Sequence, residues 1–229
     1  MITHGEIVLD HDSHTYTDRD GTVYTSVSTL ISRYKAPFDR DAIASKIALR
    51  DGITVDEVLA EWAKAAPYGT AVHGQLEDFF RGKSGPTNLI GAYTPILETW
   101  RKQPVEFMPE KILAFTNNRL ALAGTADLLV RDRDGYYSII DWKTNGKIWQ
   151  QAFKNKKMKP PLSHLDDCNF IHYSLQLNIY AWMLEQPVKK LSIVHIPRGE
   201  STLEVIPVPK LEREVDLILN DAMEQSLPF

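Results

Sequence analysis

Asp127, Asp141 and Lys143 are the residues whose types and spacing could do chemistry. Asp127 closes the run Gly124-Thr125-Ala126-Asp127, and Asp141-Trp142-Lys143 follows fourteen positions later. Side chains two apart on a strand share a face, so Asp141 and Lys143 point the same way if this segment is extended. A turn at Asp134-Gly135 that paired the two segments would bring both carboxylates and the ammonium to one edge. Two acids so placed bind hard divalent cations such as Mg²⁺ through oxygen, and the backbone carbonyl of Trp142 can add a ligand. The lysine can hold or polarise a water attacking phosphorus and offset charge as it develops. The bland alternative is strand-end charges pairing at the surface; against it, Asp141 emerges from the apolar run Ser138-Ile139-Ile140 rather than from a turn.

Two further pairs have helical spacing. His73 and Glu77 lie one turn apart beside the apolar stripe of Val72 and Leu76, where an imidazole taken alone reads as a core histidine. Gln176 and Tyr180 are likewise at i and i+4, with Tyr173 a turn earlier, on the face beside Leu175 and Ile179, where packing alone would account for them.

Over the whole chain, 229 residues with 43% hydrophobic and 24% charged composition describe a globular protein and exclude disorder. No segment approaches the roughly 20 apolar residues of a membrane span, and the N-terminus lacks the basic and apolar regions of a signal peptide, so a cytosolic location is expected. The single cysteine, Cys168, excludes an internal disulfide, a four-cysteine iron–sulfur cluster and a zinc ribbon. The net charge of −4 argues against a uniformly basic nucleic-acid coat, but it is unevenly spread. Between Lys143 and Lys159 there are six lysines and no acid, which leaves −10 for the remainder. Trp149 and Phe153 lie within this strip, together with Lys147, Lys154, Lys156, Lys157 and Lys159. Cations for phosphates and rings for bases are what single-stranded nucleic acid favours; a solvated lysine loop is the plain alternative.

The elements that must position these groups follow from periodicity. Thr15–Thr17 and Thr22–Tyr24 form a hairpin around Asp20-Gly21, and Ser28 or Ser32 caps a short helix. Residues 39–50 and 54–65 are helices, the second opening on a Thr54/Glu57 capping box, and 70–81 is another, ended by Gly82. A helix near 89–102 follows. After Pro109 the period turns strand-like, giving Glu110–Thr116, Leu120–Arg131 and Tyr136–Thr144. A loop with the basic strip leads to a helix near 169–185, then strands Leu191–Pro197 and Thr202–Val208 and a closing helix over 210–225. This order predicts an α/β protein with a mixed central β-sheet flanked by helices. The expected organisation is one domain over 1–229, with an N-terminal hairpin and helices over 1–66 and a core over 67–229.

In sequence order, these residues resemble the PD-(D/E)XK nuclease superfamily in its RecB-like exonuclease branch. Gly69-Thr70-Ala71-Val72-His73-Gly74-Gln75-Leu76-Glu77 is similar to the helical motif GTxxHxxxE, Gly124–Asp127 to GxxD, Asp141–Lys143 to DxK, and Gln176–Tyr180 to QxxxY. Thr25-Ser26-Val27-Ser28-Thr29-Leu30 is similar to the SVT segment that often precedes them. The resemblance implies a restriction-endonuclease-like core and a Mg²⁺- or Mn²⁺-dependent deoxyribonuclease with one or two ions, most simply an exonuclease in recombination, repair or phage DNA processing, in a bacterial or phage-infected cytosol. It makes Asp127, Asp141, Lys143, Gln176 and Tyr180 the catalytic set, and His73, Asp127, Asp141 and the Trp142 carbonyl the metal ligands. Glu77 is placed behind them, holding His73 or a water at the metal. Lys147, Trp149, Phe153, Lys154, Lys156, Lys157, Lys159 and Tyr173 would contact DNA. The chain departs from the iron–sulfur members in its cysteine count, and it has no phosphate loop of the GxxxxGK[ST] type, hence no motor. A non-catalytic DNA-binding module or a flap endonuclease of the same fold are the rival readings.

Two features stand apart. His164, Asp166, Asp167, Cys168 and His172 are zinc-competent side chains in a spacing that fits no common zinc pattern, and an N-cap role for Asp166 or Asp167 accounts better for the acids. The ending Leu227-Pro228-Phe229, after acidic residues, is similar to the tail by which bacterial single-strand-binding proteins dock on repair enzymes. It would either engage such a single-strand-binding or recombination partner or pack on its own core.

Overall fold

The computed structural model describes residues 7–10, 13, 15–85 and 87–225. The ending Leu227-Pro228-Phe229 lies outside them. Within the described residues, eight strands form one mixed sheet: β1 (Val8–Asp10), β2 (Thr15–Thr17), β3 (Val23–Ser26), β4 (Glu106–Thr116), β5 (Ala121–Arg131), β6 (Tyr137–Lys143), β7 (Val188–His195) and β8 (Glu204–Pro207). β4, β5 and β6 form the antiparallel meander expected from short turns. Asn117 closes the first hairpin with its Oδ1 accepting from the Arg119 and Leu120 amides, and Gly135, at φ 85°, makes the second turn. β6 pairs parallel with β7, and β3 parallel with β5.

Among the described residues, six helices flank the sheet: α1 (Val27–Ser32), α2 (Arg40–Asp51), α3 (Val55–Phe80), α4 (Thr94–Arg101), α5 (Asn169–Leu184) and α6 (Glu212–Gln225). Leu30 of α1, Leu175 and Ile179 of α5 and Ile218 of α6 are buried with Ile139 and Ile193 on one face. Val72, Leu76 and Phe80 of α3 and Leu97 of α4 are buried with Trp142 and Val194 on the other. The alternation Ile139/Trp142 and Ile193/Val194 is what two covered faces require of a central strand. No helix among the described residues is long and apolar enough to cross a membrane.

Several expectations need correction. The short helix α1 is capped by Ser26, whose Oγ accepts from the Thr29 amide at 3.0 Å, and Ser28 and Ser32 lie inside it. The helices expected at 54–65 and 70–81 are one continuous α3, capped by Thr54 and Glu57 as read from the sequence, and running through Pro67. Proline removes one backbone donor and normally breaks a helix. Here each half is held separately: Val58 packs with Ala44 and Ala48 of α2 in a small core of its own, while Val72, Leu76 and Phe80 are fixed on the sheet. A division at 66/67 would therefore cut α3 in its middle. The helix near 89–102 is a 3-10 turn over Gly91–Tyr93 followed by α4. Strand β4 begins at Glu106, not after Pro109; β5 is its paired neighbour, so Pro109 withholds a donor from a sheet edge, where proline is tolerated. β7 ends at His195 rather than Pro197.

Candidate active site

Strand β5 carries Gly124-Thr125-Ala126-Asp127 across an opening in the sheet. On one side it pairs with β4 along its length; on the other, β3 meets only Leu122 and Ala123, and β6 only Leu128 to Arg131. Residues 124–127 thus face a gap between β3 and β6. Helices from opposite faces meet through it: His73 comes from α3, and Tyr173, Gln176 and Tyr180 from α5.

Asp127 Oδ2 accepts the Trp142 amide at 2.7 Å and stands 3.6 Å from His73 Nδ1. The N–H and C=O of one strand residue point to the same side, so the Trp142 carbonyl also faces the gap. Its indole turns the other way and stacks on Phe80 and Trp100 at 5.9 and 6.3 Å, anchoring the backbone between Asp141 and Lys143. On the α5 face, Asp141 is 2% exposed and its Oδ2 accepts no hydrogen bond. The Lys143 ammonium touches that oxygen at 2.6 Å as an ion pair. Burial pushes the Asp141 carboxyl up, against the pull of Lys143 and with a further push from Asp127. Burial presses the Lys143 ammonium down, but Asp141 and Asp127 more than reverse this.

One group escaped the sequence reading. Glu110 stands opposite Asp127 in the β4–β5 register, and atoms of His73, Glu110 and Asp127 lie within 4.8 Å of one another. Glu110 is left-handed at φ 50°, in the region that favours glycine. The pleat inverts there: Met108 before it and Leu113 after it, at opposite parity, face the same core, as do Ala126 and Leu129 on either side of Asp127. Burial raises the Glu110 carboxyl to about 8, with Asp127 and Glu77 adding to the shift and Arg81 opposing it. The signal was present in the sequence: a tight turn at Asn117–Leu120 sets a register that places residue 110 across from 127.

Glu110 and Asp127 converge with His73, and the buried Asp141–Lys143 pair stands within electrostatic reach of Asp127 and His73. This donor set fits a hard divalent cation, which would supply the missing positive charge; the His73 nitrogen admits Mn²⁺ as well as Mg²⁺. Glu110→Gln, which keeps size and loses charge, is expected to weaken Mn²⁺ binding in calorimetry by at least the roughly 10–100-fold that loss of a supporting group costs. Unchanged affinity would remove Glu110 from the ligand set.

Tyr180 is buried against Gly124 and accepts from Gln176 Nε2 at 2.9 Å. Burial drives its phenol far above the ordinary value, so it stays a neutral donor. Tyr173 is the α5 residue that meets the lysine, its ring 4.6 Å from Lys143 Nζ and its hydroxyl accepting from Asn145 at 2.7 Å. From the N-terminal hairpin, Tyr16 shares a hydrogen bond of 2.9 Å with Thr125, which ties β2 to the site.

Other expected residues are placed differently. Glu77 pairs with Arg81 at 2.8 Å rather than with His73, and Arg81 in turn donates to the Pro109 carbonyl; Glu77 acts on the site through its charge beside Glu110. The zinc-competent group is not gathered: His164 meets Glu214, Asp166 meets Lys157, and His172 meets Asp167. Neither Asp166 nor Asp167 caps α5, whose N-cap is Cys168 without a side-chain bond. Asp166 accepts from the Ala152 amide and Asp167 from that of Ala36, so both brace loops. Within the basic strip, Lys157 is paired at 2.6 Å with Asp166 and Lys159 donates to the Arg33 carbonyl, while Lys147 and Lys154 lie over the rings of Trp149 and Phe153.

A mixed sheet opened at a glycine-bearing strand, with acids, a histidine and a lysine gathered at the opening, defines an α/β protein built around an acidic centre with the side-chain types of a cation site. The chain belongs to the PD-(D/E)XK nuclease superfamily, whose family model matches residues 87–225, more than half of its length. The match contains Glu110, Asp127, Asp141, Lys143, Gln176 and Tyr180, and the core is the restriction-endonuclease-like α/β arrangement. No curated protein matches the chain. Among solved structures it is similar to SSO0001, at 18% identity over 89% of this chain and 77% of that one, with a TM-score of 0.42. It is also similar to a protein from Eubacterium rectale whose name proposes it as an exonuclease, at 12% identity, 88% and 77% coverage and a TM-score of 0.39.

Proposed function

We propose that the chain is a Mg²⁺- or Mn²⁺-dependent deoxyribonuclease of the RecB-like branch, hydrolysing phosphodiester bonds from a DNA end in recombination, repair or phage DNA processing. The observation that carries this is the convergence of His73, Glu110 and Asp127 beside the buried Asp141–Lys143 pair. His73, Glu110, Asp127 and Asp141 would hold the cation, with the Trp142 carbonyl facing them. When bound, the metal supplies charge stabilisation for the phosphate oxygens and a lowered pKa for water. The protein's own groups do the rest. The Lys143 ammonium, kept charged by Asp141 and Asp127, donates to the attacking water or to the phosphate and steadies the added negative charge as the P–O bond to the leaving strand breaks. Tyr173 and Asn145 hold that lysine in place, and Gln176 and Tyr180 fix the wall behind Gly124.

The test uses 5′- and 3′-labelled linear DNA and a circular substrate, single- and double-stranded, with Mg²⁺, Mn²⁺ or EDTA. Loss of terminal label from linear DNA, spared circles and silence in EDTA are expected; cleavage of circles would make the enzyme an endonuclease, and no cleavage with either ion would overturn the proposal. The basic strip is assigned to the DNA backbone through its unpaired lysines. Lys154→Ala is accordingly expected to lower the salt dependence of single-strand binding by about 0.7 in log–log slope, whereas Lys157→Ala, already paired with Asp166, should change it much less.

A further inference from the structure

Away from the acidic centre, the segment after α1 and the loop between β6 and α5 enclose a cleft of 710 Å³. Its walls carry Lys35, Phe38, Trp149, Phe153, Lys154 and Lys156. The rings are largely exposed, Phe38 at 66%, Trp149 at 57% and Phe153 at 82%, with Lys147 and Lys154 over Trp149 and Phe153 and Trp62 beside Phe38. Of the four large exposed aromatic side chains among the described residues, these three line this one cleft. Exposed apolar rings gathered at a concave site mark a binding surface.

The walls are fixed although the rings are largely exposed to solvent. Asn169 clamps the loop by accepting from the Trp149 amide at 2.7 Å and donating to the Lys147 carbonyl at 2.9 Å. Asp167 joins the two walls, accepting from the Ala36 amide at 3.0 Å and meeting His172 at 2.7 Å. Lys154 and Asn155 are both left-handed, at φ 55° and 52°, an uncommon pair directly after the exposed Phe153 ring. The cleft thus combines three lysines with one acid, Asp167, which meets Lys156 at 3.8 Å as well as His172 and leaves the lysines in excess. His172 on its floor is followed by Tyr173, the residue in contact with Lys143, so the cleft and the acidic centre share consecutive residues of α5.

We infer that this cleft is a binding site for unpaired nucleotides of the substrate strand, with bases stacked on Phe38, Trp149 and Phe153 and phosphates held by Lys35, Lys154 and Lys156. Nucleic acid as its ligand rests on the proposed nuclease function; single-strandedness rests on the rings, because a base within a duplex has both faces occupied and offers none to an aromatic side chain. The site would hold the strand next to the acidic centre and favour frayed or single-stranded ends.

The test is fluorescence anisotropy of a labelled oligothymidylate and of a blunt hairpin duplex, in EDTA so that nothing is cut. Phe38→Ala, Trp149→Ala and Phe153→Ala are each expected to weaken oligothymidylate binding by about tenfold, the size of one lost stacking contact, with duplex binding unchanged and Trp149→Phe close to wild type. Because the rings are exposed, thermal unfolding should not move. Equal affinity of variants and wild type for oligothymidylate, or parallel losses on the duplex, would overturn the assignment. Cleavage by the wild-type preparation is scored separately with Mn²⁺: a chain that cuts DNA but whose ring variants bind normally refutes the cleft alone, whereas one that binds through the rings but cuts nothing refutes the nuclease function and leaves the cleft standing.

Discussion

Asp127→Asn is expected to abolish DNA cleavage and metal binding together, while Lys143→Gln abolishes cleavage and leaves metal binding in place. Asp127 is the point where three parts of the site join: it accepts the Trp142 amide, faces His73 at 3.6 Å and lies across from Glu110. The asparagine keeps the shape and can still accept from Trp142, so unfolding should change little, but the carboxylate charge facing His73 and Glu110 is gone. Lys143 does not belong to the ligand set; removing its donated hydrogen bond and charge is expected to lower the cleavage rate by about 10²–10³-fold, as for other transition-state donors. The lysine variant is not neutral for folding, because it strips the ion pair from Asp141, which is 2% exposed. A buried carboxylate left alone escapes much of its penalty by taking up a proton, so the lost stability should appear above neutral pH and shrink in acid. Isothermal titration with Mn²⁺ and single-turnover cleavage separate the two variants. Metal affinity lost in both, or cleavage kept in the lysine variant, would contradict this division of roles between Asp127 and Lys143.

The β5–β6 strand pair was legible because strand periodicity and a two-residue turn suffice to place Asp127, Asp141 and Lys143 near one another. The basic strip, the capping box at Thr54 and the helix behind Gln176 and Tyr180 were legible for the same local reason. What escaped depended on long-range packing. Pro67 signals a break, but the separate cores gripping α3 on either side of it override that signal. Glu110 reads as an ordinary first residue of a strand until the register of the Asn117 turn is counted, and its left-handed backbone is invisible to hydrophobic pattern. Asp166 and Asp167 precede a helix, as caps do, yet a lysine, a histidine and two loop amides claim their oxygens. Phe38 and Trp149 are far apart in sequence, and only the fold puts them on one cleft.

Gly124→Ala is expected to be the most damaging change that touches no charged group. A Cβ at this position would stand 2.5 Å from Tyr180 Cε1, closer than carbon atoms approach, and 3.0 Å from its hydroxyl, and the ring is 3% exposed. Either β5 shifts, carrying Asp127 with it, or Tyr180 leaves its place and gives up the 2.9 Å bond from Gln176. Overpacking of this kind costs about 3 kcal/mol, which at this chain length lowers Tm by roughly 6–12 °C. Cleavage should fall as well, because the gap between β3 and β6 where Asp127 meets His73 is only as wide as residues 124–127. The double variant Gly124→Ala/Tyr180→Leu removes the clashing ring edge and is expected to recover most of the lost stability but not the activity, since it also lacks the hydroxyl paired with Gln176. Recovery of both would reduce Tyr180 to a packing group; recovery of neither would mean that Gly124 is required for something other than the approach of this ring.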